Sequence, residues 1–181
     1  MTDIRQEDYI KLELLPLIPA SVVEYLMDNN ELMWKLLYYN TNDAWSKSNL
    51  TKAQKSALIY DGSDSPENFR VFLDTGQDSA ITEQISILRI STVSYVPRNH
   101  IIGYYELGIE VYSHYQINTL SNYQVRTDAI IASVIGTING ANIENTSRLF
   151  FDASKNPRCK VMTIGTAPFK GKGAILCTNS P

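Results

Sequence analysis

Two cysteines and two histidines in 181 residues leave little room for metal or thiol chemistry. A structural zinc site needs a cluster of Cys or His ligands at short spacings, and Cys159, Cys177, His100 and His114 offer none. A secreted domain built on disulfides would carry more cysteines. Two reduced thiols are therefore expected, with one bridge across a hairpin as the alternative. Also missing is any apolar run near the roughly 18–20 residues that span a bilayer. The opening Met1-Thr2-Asp3-Ile4-Arg5-Gln6-Glu7-Asp8 is polar and acidic, unlike a secretory leader. These absences predict a protein that works where it is made, without a membrane partner, so the sequons at Asn49 and Asn145 carry no weight. The formal net charge is only -3, and no whole-molecule field steers the chain to nucleic acid. Internal repeats and low-complexity tracts are absent too. What remains is ordinary globular composition, 44% apolar and 19% charged, enough at this length to bury a core without staples.

The first 62 residues read as helical. Pro19-Ala20-Ser21 opens a helix, with Ser21 and Glu24 at capping-box spacing. Leu26, Met33, Leu36 and Leu37 supply apolar residues with Trp34 and Tyr38, and Asp28-Asn29-Asn30 divides the stretch into two short helices. A further helix starts at Thr51, with Gln54 at capping distance. It ends at Asp61-Gly62, where glycine suits the left-handed residue after a helix. Ser63-Asp64-Ser65-Pro66 is a linker. The chain is thus divided into an N-terminal helical region, 1–62, and a sheet-and-helix domain, 63–181.

Beyond the linker the apolar period falls to two. Residues 69–73 and 85–96 read as strands, and Pro97-Arg98-Asn99 turns the chain back. Tyr105, Leu107, Ile109, Val111, Tyr115 and Ile117 then alternate with Glu106, Gly108, Glu110, Tyr112, His114 and Gln116. Successive strand side chains point to opposite faces, so one face is apolar and the other is wet or open to a partner. Ser121-Asn122-Tyr123-Gln124 repeats the capping-box spacing ahead of a helix whose Ile131, Val134, Ile135 and Ile138 form one stripe. Arg126 and Asp128 fall off that stripe, and Asn139-Gly140 ends the helix. Burying four such side chains on the odd face of the strand is worth roughly 6–12 kcal/mol before entropy costs. Residues 148–152 form a strand, and 161–165 with 174–178 form the arms of a last hairpin. Its tip is the basic Lys170-Gly171-Lys172-Gly173. The expected fold class is α+β: an antiparallel β-sheet packed against one amphipathic helix, with a helical N-terminal region and a C-terminal β-hairpin.

Phe72-Leu73-Asp74-Thr75-Gly76 matches the apolar-Asp-Thr-Gly signature of aspartic proteases, and Ile101-Ile102-Gly103 resembles the apolar segment behind their active loop. In a dimeric enzyme each chain would give one Asp and the pair would share a proton. Only about 25 residues separate the two segments, too few for a flap hairpin and flanking strands of about 5–6 residues each. A strand end entering a glycine turn explains the motif better. The Lys170–Gly173 stretch lacks the phosphate-loop pattern and no helix follows it. A solvated tip is the simpler reading; with Lys155, Arg158 and Lys160 it reads otherwise as an inter-subunit or nucleic-acid-facing loop. Tyr104 and Tyr112 share the even strand face with Glu106, Glu110 and His114. That face is too aromatic for a plain wet surface, and suits a contact. His114 reads as a lone surface histidine. No residue is assigned a catalytic, cofactor-binding or metal-binding role.

The chain order resembles that of the head-to-tail joining and tail-terminator proteins of tailed bacteriophages. The resemblance is carried by residues 103–117, by Arg126-Thr127-Asp128 with residues 130–138 and Asn139-Gly140, and by the hairpin over 160–178. Residues 33–40 are also similar to openings of phage neck proteins. The resemblance implies a virion structural protein, assembled in the host cytoplasm, that forms a homo-oligomeric ring between portal and tail. A hexamer is favoured and a dodecamer is the alternative. Other neck and tail proteins would be its partners, and double-stranded DNA would pass through its channel without sequence-specific binding. Tyr104, Glu106, Tyr112 and His114 are then the candidate inter-subunit contacts. Lys155, Arg158, Lys160, Lys170 and Lys172 are the candidate channel or inter-ring loop. Two further readings are a cytosolic adaptor that binds a protein through the Tyr-rich face, and a dimeric protease using Asp74.

Overall fold

Asn30 ends one helix and begins the next. The structure, a computed structural model, describes residues 15–63, 65–74, 83–97, 103–143, 149–151, 158–164 and 167–178, the last two ranges as backbone. Helix α1 (Ile18–Asn29) has Pro19 in its first turn, where a missing N–H is not needed. Ser21 therefore lies inside the helix and does not cap it, contrary to the capping-box expectation. Asn30 leaves the helical region (φ −134°, ψ 83°), and its Oδ1 accepts the Met33 N–H at 3.0 Å to cap α2 (Glu31–Tyr38). The Asn30 side chain is only 4% exposed. It also donates to Thr137 Oγ1 (3.0 Å) and accepts from Ser133 Oγ (3.2 Å), joining the N-terminal helices to the C-terminal one. Asn30→Ala removes the cap and both cross-links. The expected loss is about 2 kcal/mol, read as a lower urea midpoint at unchanged slope; a midpoint within error of wild type would refute the cross-link.

Helix α3 (Lys52–Ser56) carries the expected Thr51–Gln54 capping box: Gln54 N–H donates to Thr51 Oγ1 (3.3 Å) and Thr51 N–H to Gln54 Oε1 (2.9 Å). It stops at Ser56, well before Asp61-Gly62. The reason is competition from a strand. Arg70 and Val71 N–H both donate to Leu58 O (2.8 and 3.0 Å), and Tyr60 N–H donates to Val71 O (2.9 Å). Residues 58–60 are thereby drawn out alongside the chain at Val71. The buried Lys55 Nζ donates to Met27 O (2.8 Å) and pairs with Glu31, which fixes α3 to the α1–α2 junction.

Among the described residues six strands form one sheet: β1 (Val71–Phe72), β2 (Ser86–Pro97), β3 (Gly103–His114), β4 (Leu149–Phe151), β5 (Arg158–Ile164) and β6 (Ala167–Thr178). The order is β1-β2-β3-β6-β4, with β5 also paired to β6. Every pairing is antiparallel except β1 with β2. The β2–β3 register slips between Thr92 and Ser94, a bulge that leaves Val93 50% exposed. Gly108 lies beside it, where a Cβ would sit 2.7 Å from Val93 Cγ2. Strand β6 pairs with β3 on one side; on its other side it pairs with β5 and then β4. The terminal hairpin is present, but its arms are longer than expected and its reversal falls between Ile164 and Ala167. Lys170–Gly173 is therefore mid-strand and not a tip. Pairing on both sides overrides the low strand preference of its glycines.

Helix α4 (Arg126–Ile138) covers the odd face of β3, as the pattern predicts. Tyr105, Leu107, Ile109 and Val111 are buried with Ile130, Ile131, Val134 and Ile138; Ile135 packs at the margin. Val22, Leu26, Trp34 and Leu37 of α1 and α2 belong to the same core, so the helical region packs on its own sheet. Tyr115 departs from the alternation because β3 ends at His114 and a 3-10 turn, Tyr115–Ile117, follows. The α4 N-terminus also differs from expectation. Its cap position is Val125, with no side-chain cap. Asn118 serves instead, its backbone O accepting Arg126 N–H (2.7 Å) and its Oδ1 accepting Thr127 N–H (3.2 Å). Arg126 itself is fully buried. Its guanidinium donates to the carbonyls of Ile117 (2.8 Å), Leu36 (2.7 Å), Tyr39 (2.8 Å) and Thr41 (2.5 Å).

Candidate functional surface

The even face of β3 is built by cross-strand pairing. Ile87 lies opposite Tyr112, and Arg89 opposite Glu110. Phe72, Ile85 and Ile87 make a second, smaller buried cluster there, with Tyr60, Phe69 and Tyr112 packed against it. This face is thus partly covered and not simply wet. Arg89 is buried with its guanidinium 4.8 Å from the Phe72 ring centroid, a cation–π arrangement. It also pairs with the half-exposed Asp74. The carboxylate proposed for proton sharing is therefore engaged by a guanidinium; residues 75–80 and 101–102 lie outside the described residues.

Tyr112 Oη donates to Glu110 Oε2 at 2.5 Å. Burial, and then the neighbouring Glu110 carboxylate, push its phenol far above the usual range. A raised folded-state value favours the protonated phenol. Its contribution to stability is intact below pH 10, the ordinary phenol value, and is lost as pH rises further. Tyr112→Phe should cost about 1 kcal/mol at neutral pH, and its deficit should shrink steadily above pH 10. Denaturant titrations of both proteins from neutral to alkaline pH would show this; parallel curves would count against it.

His114 is not on the surface: it is 4% exposed. The chain curls into the 3-10 turn just after it, bringing the Tyr115 ring to 4.7 Å. His114 Nδ1 accepts Gln116 N–H at 3.3 Å. Glu106 is half-buried, and the Tyr104 side chain lies outside the described residues. Of the four predicted contact residues, Tyr112 and Glu106 thus remain partly accessible on this face.

The predicted basic loop is dispersed over two strands. Lys155 lies outside the described residues. Arg158 and Lys160 are on β5, opposite Gly173 and Gly171, while Lys170 and Lys172 are on β6, opposite Ser113 and Val111 of β3. Paired residues share a face. The register therefore assigns Arg158 and Lys160 to the face of Glu110 and Tyr112, and Lys170 and Lys172 to the opposite one.

At another corner the sequence signals only a helix cap. Ser121 N–H donates to Asn42 O (2.8 Å), and Trp45 Nε1 donates to Ser121 Oγ (3.0 Å). Beside them Tyr123 is 95% exposed. Leu120–Tyr123 is a tight turn, closed by Tyr123 N–H to Leu120 O (3.0 Å), and Ser121 does not cap the helix that follows. Among the described residues there is no group of three or more His, Cys, Asp or Glu placed to hold a metal, and no helix long and apolar enough to cross a membrane.

No curated protein and no solved structure matches the chain. A family model described as YomW matches residues 29–163. That span is well over half of the chain and runs from the α1–α2 junction through most of β5. The chain belongs to the YomW family, a family derived from Bacillus phage.

Proposed function

We propose that this chain is a virion structural protein that forms a ring in the phage neck, as a tail-terminator or head-to-tail joining layer between portal and tail. The observation that carries the proposal is the amphipathic α4 laid over the long β3 within a phage-derived family. A heterologous contact whose rotation closes produces a ring around an axis. The even face of β3, with Tyr112 and Glu106, and the β5 edge supply surfaces for neighbouring copies. A small net charge of -3 suits a channel through which DNA slides without being gripped. Arg158 and Lys160, on the even face of the sheet with Glu110, are the basic residues to set against that channel. The ring assembles in the host cytoplasm and remains in the virion, a hexamer in the favoured form. Negative-stain microscopy of the purified chain, alone and with portal and tail proteins, tests this reading. Closed rings on the portal or tail are expected; monomers beside every partner would overturn it.

A further inference from the structure

Tyr123 is the one non-glycine residue with a positive φ (65°) among the described residues. Left-handed backbone disfavours a bulky side chain, and Gly or Asn would adopt it with less strain. The tyrosine gains little from the fold in return, since it is 95% exposed. Its neighbours are fixed in place. Ser121 is held by Asn42 and Trp45, and Thr119 bridges Val125. Trp45 and Val125 add partly exposed apolar surface, 40% and 41%. The rigid turn therefore presents an aromatic ring to something outside the chain.

We infer that this corner is a contact between copies of the chain, with Tyr123 as the anchor that enters an apolar socket on the next copy. The inference rests on the ring reading. Charge selects the class of partner. The corner is Asn42, Trp45, Ser121, Asn122, Tyr123 and Gln124, all uncharged, and the nearby Lys47 is neutralised by Asp43 at 2.7 Å. Nothing there attracts phosphate, which disfavours nucleic acid. An aromatic centre with an uncharged polar surround is the composition of protein contacts. A neutral patch also lets two chains of net charge -3 meet without local repulsion. Because the turn is already ordered, little freedom is lost on contact.

Sedimentation velocity and native mass spectrometry over a wide concentration range, on the full chain, test the inference with Tyr123→Gly and Tyr123→Phe. The glycine variant removes the ring and the strain together. It should melt at or above the wild-type temperature yet associate about tenfold more weakly, while the phenylalanine variant keeps most of the association. Wild-type association by Tyr123→Gly would overturn the inference and leave the ring reading standing. A lowered melting temperature would overturn it too, by showing that the ring serves the fold. A wild-type chain monomeric throughout, and in microscopy with its neighbours, would sink both.

Discussion

Arg126→Ala is expected to destabilise the fold by about 4 kcal/mol, near the upper end for any single substitution. The guanidinium donates to four main-chain carbonyls, of Ile117, Leu36, Tyr39 and Thr41. Three of these lie at or just past the end of α2 and the fourth precedes α4, so one side chain closes two distant segments on each other. Alanine leaves those carbonyls without their donors, and each buried unsatisfied group costs about 1–3 kcal/mol before water enters. Partial hydration of the site keeps the total below the sum. Burial pulls the Arg126 guanidinium down to about 10, and it remains charged at neutral pH. The loss should accordingly be the same at mildly acidic and mildly alkaline pH. Arg126→Lys keeps the charge but not the planar fork, and should recover less than half of the loss. Denaturant unfolding of the three proteins at two pH values measures all of this.

Trp34→Ala should cost about 3–5 kcal/mol. Trp34 is fully buried in the core shared by α1, α2, α4 and the sheet, and its Nε1 donates to Leu26 O at 2.9 Å. Trp34→Phe gives the informative contrast. Leu26 O also accepts Asn30 N–H at 3.0 Å, so the carbonyl stays paired when the indole is lost. The phenylalanine variant should therefore cost only about 1–2 kcal/mol, mostly for the unfilled volume. Equal losses in the two variants would instead assign the effect to the hydrogen bond. A small loss in both would mean that the N-terminal helices are not part of the central core.

The elements readable in the chain were those governed by period and by local hydrogen bonding. Alternation from Tyr105 to Val111 and the stripe from Ile131 to Ile138 each specify a buried face, and these faces meet. The Asn30 break and the Thr51–Gln54 box are short-range effects, complete within a few residues. Several of the misread features depend on partners far along the chain. Helical spacing puts Arg126 off the apolar stripe, but cannot show that carbonyls of residues 36, 39 and 41 wait there for it. The glycines of Lys170–Gly173 suggested a turn until strands on both sides of β6 paired with them. The basic residues looked like one cluster because sequence proximity does not report which sheet face each takes. His114 lost its exposure to a turn that begins at the next residue. Ser121–Gln124 fitted the spacing of a helix cap, which concealed the left-handed Tyr123, and no local rule separates those two outcomes.

Quantitative mass spectrometry of purified phage particles, counting this chain against portal protein, is the most direct test of a place in the neck. A fixed ratio matching one ring per particle is the predicted result. Abundance in the infected lysate with none in the particles would contradict the account.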